Sequence, residues 1–203
     1  MAISVVIGTF LIGTYYVVAA MYVQPAQHDK LESALGDLQP GLSYEQLVMM
    51  SEAERYYLIQ QAPYSTRQLI LEEAINHPSF ISESKDIIKE TSNSDELRIV
   101  KLTPFSGIKG FTAQGTAVIY NSGNMNFLRF EDFGVTSGID QRVYLTKDGA
   151  VATGIDLGAL RASRGEQNYD ITGIDTEIYN ILIIYSKTFD TYYAHARFLK
   201  TES

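Results

Sequence analysis

The spacing of hydrophobic and polar residues divides the chain into three regions. Residues 2–23 form one apolar run without a charged side chain, and residues 24–96 are largely polar with a weak helical spacing. Residues 97–203 alternate between apolar and polar positions in short segments, which Gly, Asn and Asp separate. Such segments are typical of an antiparallel β-sandwich or barrel. The pattern therefore predicts a mainly β fold that follows a transmembrane helix and a short helical region.

The most apolar segment of the third region is the run from Ile178 to Tyr185. A short run rich in Ile and Tyr is typical of a strand that is covered on both faces. We therefore expect a central strand, with earlier strands as its neighbours in the sheet. Asn121-Ser-Gly-Asn124 is a strong turn signal between two of those strands. The strand-like segments are 97–102, 111–119, 126–133, 142–146 and 155–160, with an aromatic strand over 192–198.

Two helix starts in the second region have the form of a capping box, with Ser43 and Ser51 as the N-cap residues. The helix that follows Ser51 places Ala53, Tyr57 and Leu58 on one side.

A third helix is predicted between Ser65 and Pro78, and the polar stretch 82–96 is predicted to be a loop or linker. These helices are short and weakly amphipathic, so they need a docking surface to be stable. We expect that surface on a partner, on the β region or near a membrane.

The amino-terminal run is long enough to cross a bilayer. Its 22 residues give a helix of roughly 33 Å, against a hydrocarbon core of about 30 Å. We predict a transmembrane helix at 2–23, a helical spacer and linker at 24–96, and a β-sandwich domain at 97–203. A cleaved signal peptide is an alternative, although the run lacks a basic start and exceeds the usual apolar core of such peptides. The packing helix of an archaeal-type pilin or flagellin is another alternative.

Composition narrows the possible functions. The formal net charge is −8, and the chain has no cysteine. Nucleic acid is not an expected partner, because phosphate binding needs concentrated positive charge. Without cysteine, the chain cannot form disulfides, thiolate nucleophiles, iron–sulfur clusters or Cys-rich zinc sites.

The polar residues that could carry chemistry do not form a known motif. The three histidines, His28, His77 and His195, lack the spacing of a ligand set. The aspartates of the β region coincide with turns, and none has the spacing of a calcium loop. We therefore predict no metal site and no cofactor.

The closing strand carries the remaining candidates. Tyr185, Tyr193 and His195 are possible interaction or ligand residues, since alternation would place Tyr193, His195 and Arg197 on one face. Ser186, Asp190 and His195 could be imagined as a hydrolase group. No nucleophile elbow surrounds the serine, however, so we predict no catalytic residues and a protein that is not an enzyme.

Six segments of the β region carry recognisable motifs in a fixed order. They include Phe127-Leu-Arg-Phe-Glu-Asp-Phe133, Gly138-Ile-Asp-Gln-Arg-Val-Tyr-Leu145 and Gly165-Glu-Gln-Asn-Tyr169. The others are Gly115-Thr-Ala-Val-Ile-Tyr120, Asp156-Leu-Gly-Ala-Leu160 and Ile184-Tyr-Ser-Lys-Thr-Phe189. This order resembles the DM13 domain family over about 106–199. The resemblance implies a small extracytoplasmic β-sandwich.

The resemblance also implies a chemistry that this chain lacks. The family is proposed to transfer electrons through a cysteine on the closing strand, as a bare thiol or a cofactor ligand. Ser186 stands at that position, with Tyr185 where the family usually has Trp and Ile139 where it commonly has Pro. A serine hydroxyl forms neither a disulfide nor a sulfenic acid, so we expect the fold without the redox chemistry.

Together these observations predict a single-pass protein of the cell membrane whose carboxyl-terminal domain is extracytoplasmic. Residues 2–23 would insert into the lipid bilayer. The protein would act as a non-catalytic binding or structural accessory subunit, with protein partners in a membrane or envelope assembly. The alternatives are an electron-transfer protein with a metal or haem site that lacks cysteine, and a pilin-like filament subunit.

Overall fold

The computed structural model describes residues 28–199 and divides them, between Glu73 and Ala74, into two compact units. The predicted transmembrane helix at 2–23 lies outside the described residues, and so do the signal-peptide and filament alternatives. Among residues 28–199, no helix has the length and the hydropathy needed to cross a membrane.

The first unit is helical. Its helices are α1 (28–38), α2 (Tyr44–Met49), α3 (Glu52–Gln61) and α4 (Tyr64–Ile75). Both predicted capping boxes are confirmed. At the start of α2 the Ser43 hydroxyl accepts a hydrogen bond from the Gln46 N–H at 3.3 Å, and the Gln46 side chain accepts one from the Ser43 N–H at 3.0 Å. These bonds satisfy amides that would otherwise have no partner at a helix start.

The buried face of α3 is not the side that carries Ala53, Tyr57 and Leu58. Arg55 and Ile59 are buried, whereas Tyr57 is 72% exposed. The Arg55 guanidinium donates three hydrogen bonds of 2.7–2.9 Å to carbonyl oxygens at the end of α2, those of Leu47, Val48 and Met50. A cation at a helix carboxyl terminus satisfies open carbonyls and complements the helix dipole. The apolar pattern missed this face because its key residue is charged.

The second unit consists of two five-stranded sheets. Sheet A has the order β1-β8-β5-β4-β2, and sheet B has the order β3-β10-β9-β6-β7. The strands of sheet A are β1 (Phe80–Ser82), β2 (Arg98–Pro104), β4 (Ala113–Ser122), β5 (Met125–Val135) and β8 (Arg164–Asp170). Those of sheet B are β3 (Ser106–Gly107), β6 (Gln141–Thr146), β7 (Ile155–Ala159), β9 (Ile181–Ser186) and β10 (Thr191–Arg197).

All the strand pairs of this unit are antiparallel except β1 with β8, which is parallel. The prediction of a mainly β, sandwich-like fold with some helices is therefore confirmed.

Strand β9 occupies the place predicted for the Ile- and Tyr-rich run. It is the middle strand of sheet B, and all six of its residues are buried. Leu182, Ile184 and Ser186 lie on one face. We call the other face the tyrosine face; its buried cluster is Tyr144, Ile181, Ile183 and Tyr185.

The prediction of a loop at 82–96 is wrong. The stretch contains the end of β1 and helix α5 (Asp86–Ser92), which packs Ile88 against sheet A. We call residues 79–92 the strap, and the sheet surface beneath it the strap face. That face includes Val118, Tyr120, Phe127 and Arg129.

Hydrogen bonds and ion pairs attach the strap to its face. Arg129, only 5% exposed, donates bonds of 2.8 Å to the Glu83 carbonyl oxygen and to the Asn168 side chain. Lys85 lies 2.7 Å from the Glu131 carboxylate, and its ammonium donates to the Tyr120 hydroxyl at 2.8 Å. The strap thus covers charged groups as well as an apolar patch.

Candidate functional site

The hairpin between β9 and β10 carries the position at which the resemblance implies a cysteine. Ser186 ends β9, where it pairs with Gln141 of β6 and Thr191 of β10. It is fully buried, and its hydroxyl oxygen accepts a hydrogen bond from the Phe189 N–H at 3.4 Å. The hairpin then turns through Asp190, which has a φ of 48°. The serine hydroxyl therefore stabilises the turn and does not face solvent.

Tyr185 precedes the serine and points to the tyrosine face. Its hydroxyl donates a 2.7 Å hydrogen bond to the Asp190 carboxylate. Its ring centroid lies 4.7 Å from that of Tyr192 and 6.1 Å from that of Tyr144. Burial raises the pKa of Tyr185, and the bond to Asp190 raises it further. The phenol therefore stays protonated at neutral pH, and a protonated phenol is a weak metal ligand.

The other two candidates on the closing strand differ in their position relative to Tyr185: Tyr193 lies apart from it, whereas His195 shares its face. A β-bulge between Tyr192 and Ala194 shifts the register at Tyr193. Tyr193 is fully buried, and its ring centroid lies 4.5 Å from that of Phe111. His195 is half-buried and pairs with Ile183, which places it on the tyrosine face.

The hydrolase group that could be imagined from the sequence is not assembled. Ser186 and Ile183 lie three positions apart in β9, so their side chains point to opposite faces. Since His195 is the neighbour of Ile183, it cannot reach the Ser186 hydroxyl. The Asp190 carboxylate accepts from Tyr185, which is also on the tyrosine face.

The aspartates at the turns accept hydrogen bonds from backbone amides, as predicted. Asp148, Asp156 and Asp170 each accept a hydrogen bond from the amide two residues on, at 2.8–3.0 Å. Across residues 28–199, no three His, Asp or Glu side chains come together as a possible metal site.

A second feature was missed in the sequence analysis: a cavity of about 230 Å³ between the ends of three strands of sheet A. Gln114 of β4 pairs with Gly134 of β5, which pairs in turn with Arg164 of β8. Because Gly134 has no side chain, the Gln114 side chain lies close above it, and a gap remains between that side chain and Arg164. We call this gap the glycine slot. A glycine inside a strand is the available signal, since it marks a bulge or a close approach.

These features define the class of the second unit: a two-sheet β domain with a buried closing hairpin. Residues 105–198 match the family model described as Electron transfer DM13. This match confirms the resemblance to the DM13 domain that the order of the motifs indicated. The comparison with curated proteins found no match, and neither did the comparison with solved structures.

The side chains around position 186 do not fit the thiol chemistry that the family resemblance implies. A serine hydroxyl is a poor ligand for soft metals, and it cannot take up the oxidation states of a thiol. Here the hydroxyl is also buried and bonded to the backbone.

Proposed function

We propose that this protein is a membrane-anchored, extracytoplasmic binding protein that acts as a non-catalytic accessory subunit of a membrane or envelope assembly. The observation that carries the proposal is Ser186, which is fully buried and bonded within its own hairpin. A domain of this family without its thiol retains a rigid scaffold, and binding is the activity that a scaffold supports by itself.

The helical unit offers surface for a protein partner. Met49, Tyr57 and Tyr64 are 85%, 72% and 71% exposed. Aromatic residues and methionine are enriched where proteins bind one another. The anchor itself is inferred from the uncharged run at 2–23.

Blue-native electrophoresis of gently solubilised membranes tests the accessory role. We expect the native chain to migrate in a complex larger than the monomer, and Tyr57→Asp to weaken that complex because it places a charge in the contact. Gln39→Asp, at another exposed position of the helical unit, is the matched control. Migration of the native chain as a monomer alone would contradict the proposal.

The absence of cysteine allows a sharp test of localisation. Leu102→Cys places one thiol on a side chain that is 60% exposed in β2, whereas Ile184→Cys places it at a fully buried position. With a membrane-impermeant maleimide on intact cells, we expect Leu102→Cys to be labelled and Ile184→Cys to be protected until denaturation. Labelling of Leu102→Cys only after lysis would rule out an extracytoplasmic domain.

Electron transfer is the second candidate, and the description of the matching family favours it. It would require a cofactor bound without cysteine, for which Asp190, Tyr192 and His195 are the nearby donors. Absorbance spectra and metal analysis of the protein purified from its native membrane decide this alternative. A bound chromophore or a stoichiometric metal would support it, and a colourless, metal-free preparation would reject it. The filament alternative rests on residues 2–23 and stays a prediction.

A further inference from the structure

We infer that the glycine slot between Gln114 and Arg164 is a binding site for a carboxylate group. The site is independent of the proposed accessory role, because it lies in sheet A away from the hairpin at Ser186.

The geometry of the slot follows from the register of three strands. Side chains directly opposite one another on neighbouring strands share a face. Adjacent strands lie about 4.8 Å apart, so the backbones of Gln114 and Arg164 are separated by roughly 10 Å across Gly134. Thr112, Ala113 and Val135 complete the lining of the cavity. The cavity is smaller than those of drug-sized ligands, which occupy roughly 300–1,000 Å³, and suits a single small acidic group.

The polar side chains of the slot are available to bind a ligand. Within residues 28–199, neither the Arg164 guanidinium nor the Gln114 amide makes a hydrogen bond or an ion pair. The other arginines of sheet A differ from one another: Arg129 donates two hydrogen bonds beneath the strap, and Arg98 lies exposed on edge strand β2. Arg164 combines an unused guanidinium with a recess beside it.

The backbone around the slot is shaped by irregularities. The pairing of β4 with β5 shifts between Gln114 and Thr116, and Asp132 in β5 has a φ of 49°. Gly115, opposite this bulge, has a φ of 90°, and a Cβ there would lie 2.5 Å from the Asp132 carbonyl oxygen. Bulges re-aim the side chains beside them and are frequent next to binding sites.

The ligand chemistry follows from the donors. A guanidinium binds a carboxylate through two parallel hydrogen bonds, and the glutamine amide can add a third. The slot contains one cation, which matches a monoanionic carboxylate better than a dianionic phosphate. A chain with a net charge of −8 also repels multiply charged anions in general.

Calorimetric titration of the purified full-length chain tests the site, with butyrate as a free monoanionic acid and a capped peptide that contains a single glutamate as an acid carried by a larger molecule. We expect saturable binding of at least one probe, weakened about tenfold or more in Arg164→Gln, because charge-assisted bonds are lost. Arg98→Gln should bind as the native chain does. Stronger binding of butyrate would indicate a small free ligand, and stronger binding of the peptide an acidic group of a macromolecule; both support the site.

A filling variant makes the test independent of charge. Gly134 has no positive φ, and the nearest atom to a Cβ there belongs to the flexible Gln114 side chain, at 3.2 Å. Gly134→Val should therefore fold and abolish binding. The inference is overturned if no probe binds, if inorganic phosphate binds more tightly than both, if Arg98→Gln weakens binding as much as Arg164→Gln does, or if Gly134→Val binds normally.

Discussion

The strap face of sheet A and the tyrosine face of sheet B are both buried, but by opposite chemistry. On the strap face, Arg129 and Glu131 are charged, and a separate chain segment contributes a hydrogen-bond or ion-pair partner to each. On the tyrosine face, Ile183 and Tyr185 form a cluster of aliphatic and aromatic side chains. Burial by side-chain packing is visible in an apolar sequence pattern, whereas burial by a hydrogen-bonded cover is not.

Truncation of one isoleucine on each face gives the largest expected effects. Ile183→Ala should reduce the free energy of unfolding by about 3–4 kcal/mol, since a buried isoleucine in a central strand leaves a cavity that cannot collapse. Ile88→Ala should cost about 2–3 kcal/mol, because the strap can open locally around it. Denaturant unfolding measures the totals, and hydrogen exchange shows whether only residues 79–92 lose protection in Ile88→Ala. Equal and global loss of protection in both variants would remove the distinction between the faces.

Removal of the Arg129 charge beneath the strap has the next largest expected effect on stability. Arg129→Met should reduce the free energy of unfolding by about 2–3 kcal/mol, because the Glu83 carbonyl and the Asn168 side chain lose their buried donor. Arg98→Met is the control; being exposed on an edge strand, it should change stability by no more than about 0.5 kcal/mol. If Arg129→Met were neutral, the buried guanidinium would not contribute to holding the strap.

Acid should loosen the strap face before the tyrosine face. Burial raises the pKa of Glu131, but hydrogen bonds from Lys85 and Tyr120 outweigh this and hold the pKa below its usual value. A carboxyl whose folded pKa is depressed stabilises the fold above its unfolded pKa, about 4.3, and loses that contribution as pH falls through the folded pKa. Exchange protection should therefore fall in the strap between pH 7 and pH 3 while β9 keeps its protection. Glu131→Gln should remove this difference.

High pH should destabilise both the strap face and the tyrosine face. The Glu131 carboxylate raises the pKa of Lys85, and burial raises that of Tyr185. A group whose folded pKa is raised contributes stability below its unfolded pKa and loses it as pH rises through the folded pKa. In an ultraviolet titration, Tyr185 should therefore ionise in a late component, above the pH of about 10 at which an unperturbed tyrosine ionises. Tyr185→Phe should reduce the late component; an unchanged late component would mean that Tyr185 ionises as an unperturbed tyrosine does.

Local sequence predicted those parts of the fold whose stability is local. The capping boxes at Ser43 and Ser51 involve residues three apart, and β9 is a continuous apolar run, so both were predictable. The strap was not, because its main contacts join polar groups that lie 35 to 85 residues apart in the chain. Ile88 is the one buried apolar residue of the strap, and a single residue cannot produce a hydrophobic periodicity.

The candidate sites were likewise predictable only where their arrangement depends on local sequence. Alternation along β9 separates Tyr185 from Ser186, but the bulge at Tyr193 breaks the alternation of β10, and no sequence period shows a bulge. The glycine slot joins Gln114, Gly134 and Arg164, which become neighbours only through the order of the strands in sheet A.

The position of β1 and β2 has a practical consequence for anyone who prepares the domain alone. These strands are the two edges of sheet A, and both precede residue 105, where the family match begins. A fragment cut there would turn β8 and β4 into new, unpaired borders and leave Arg129 without the Glu83 carbonyl. Unprotected borders of this kind recruit other chains and aggregate. The smallest piece expected to stay monodisperse starts near Ala74, about thirty residues ahead of the family boundary.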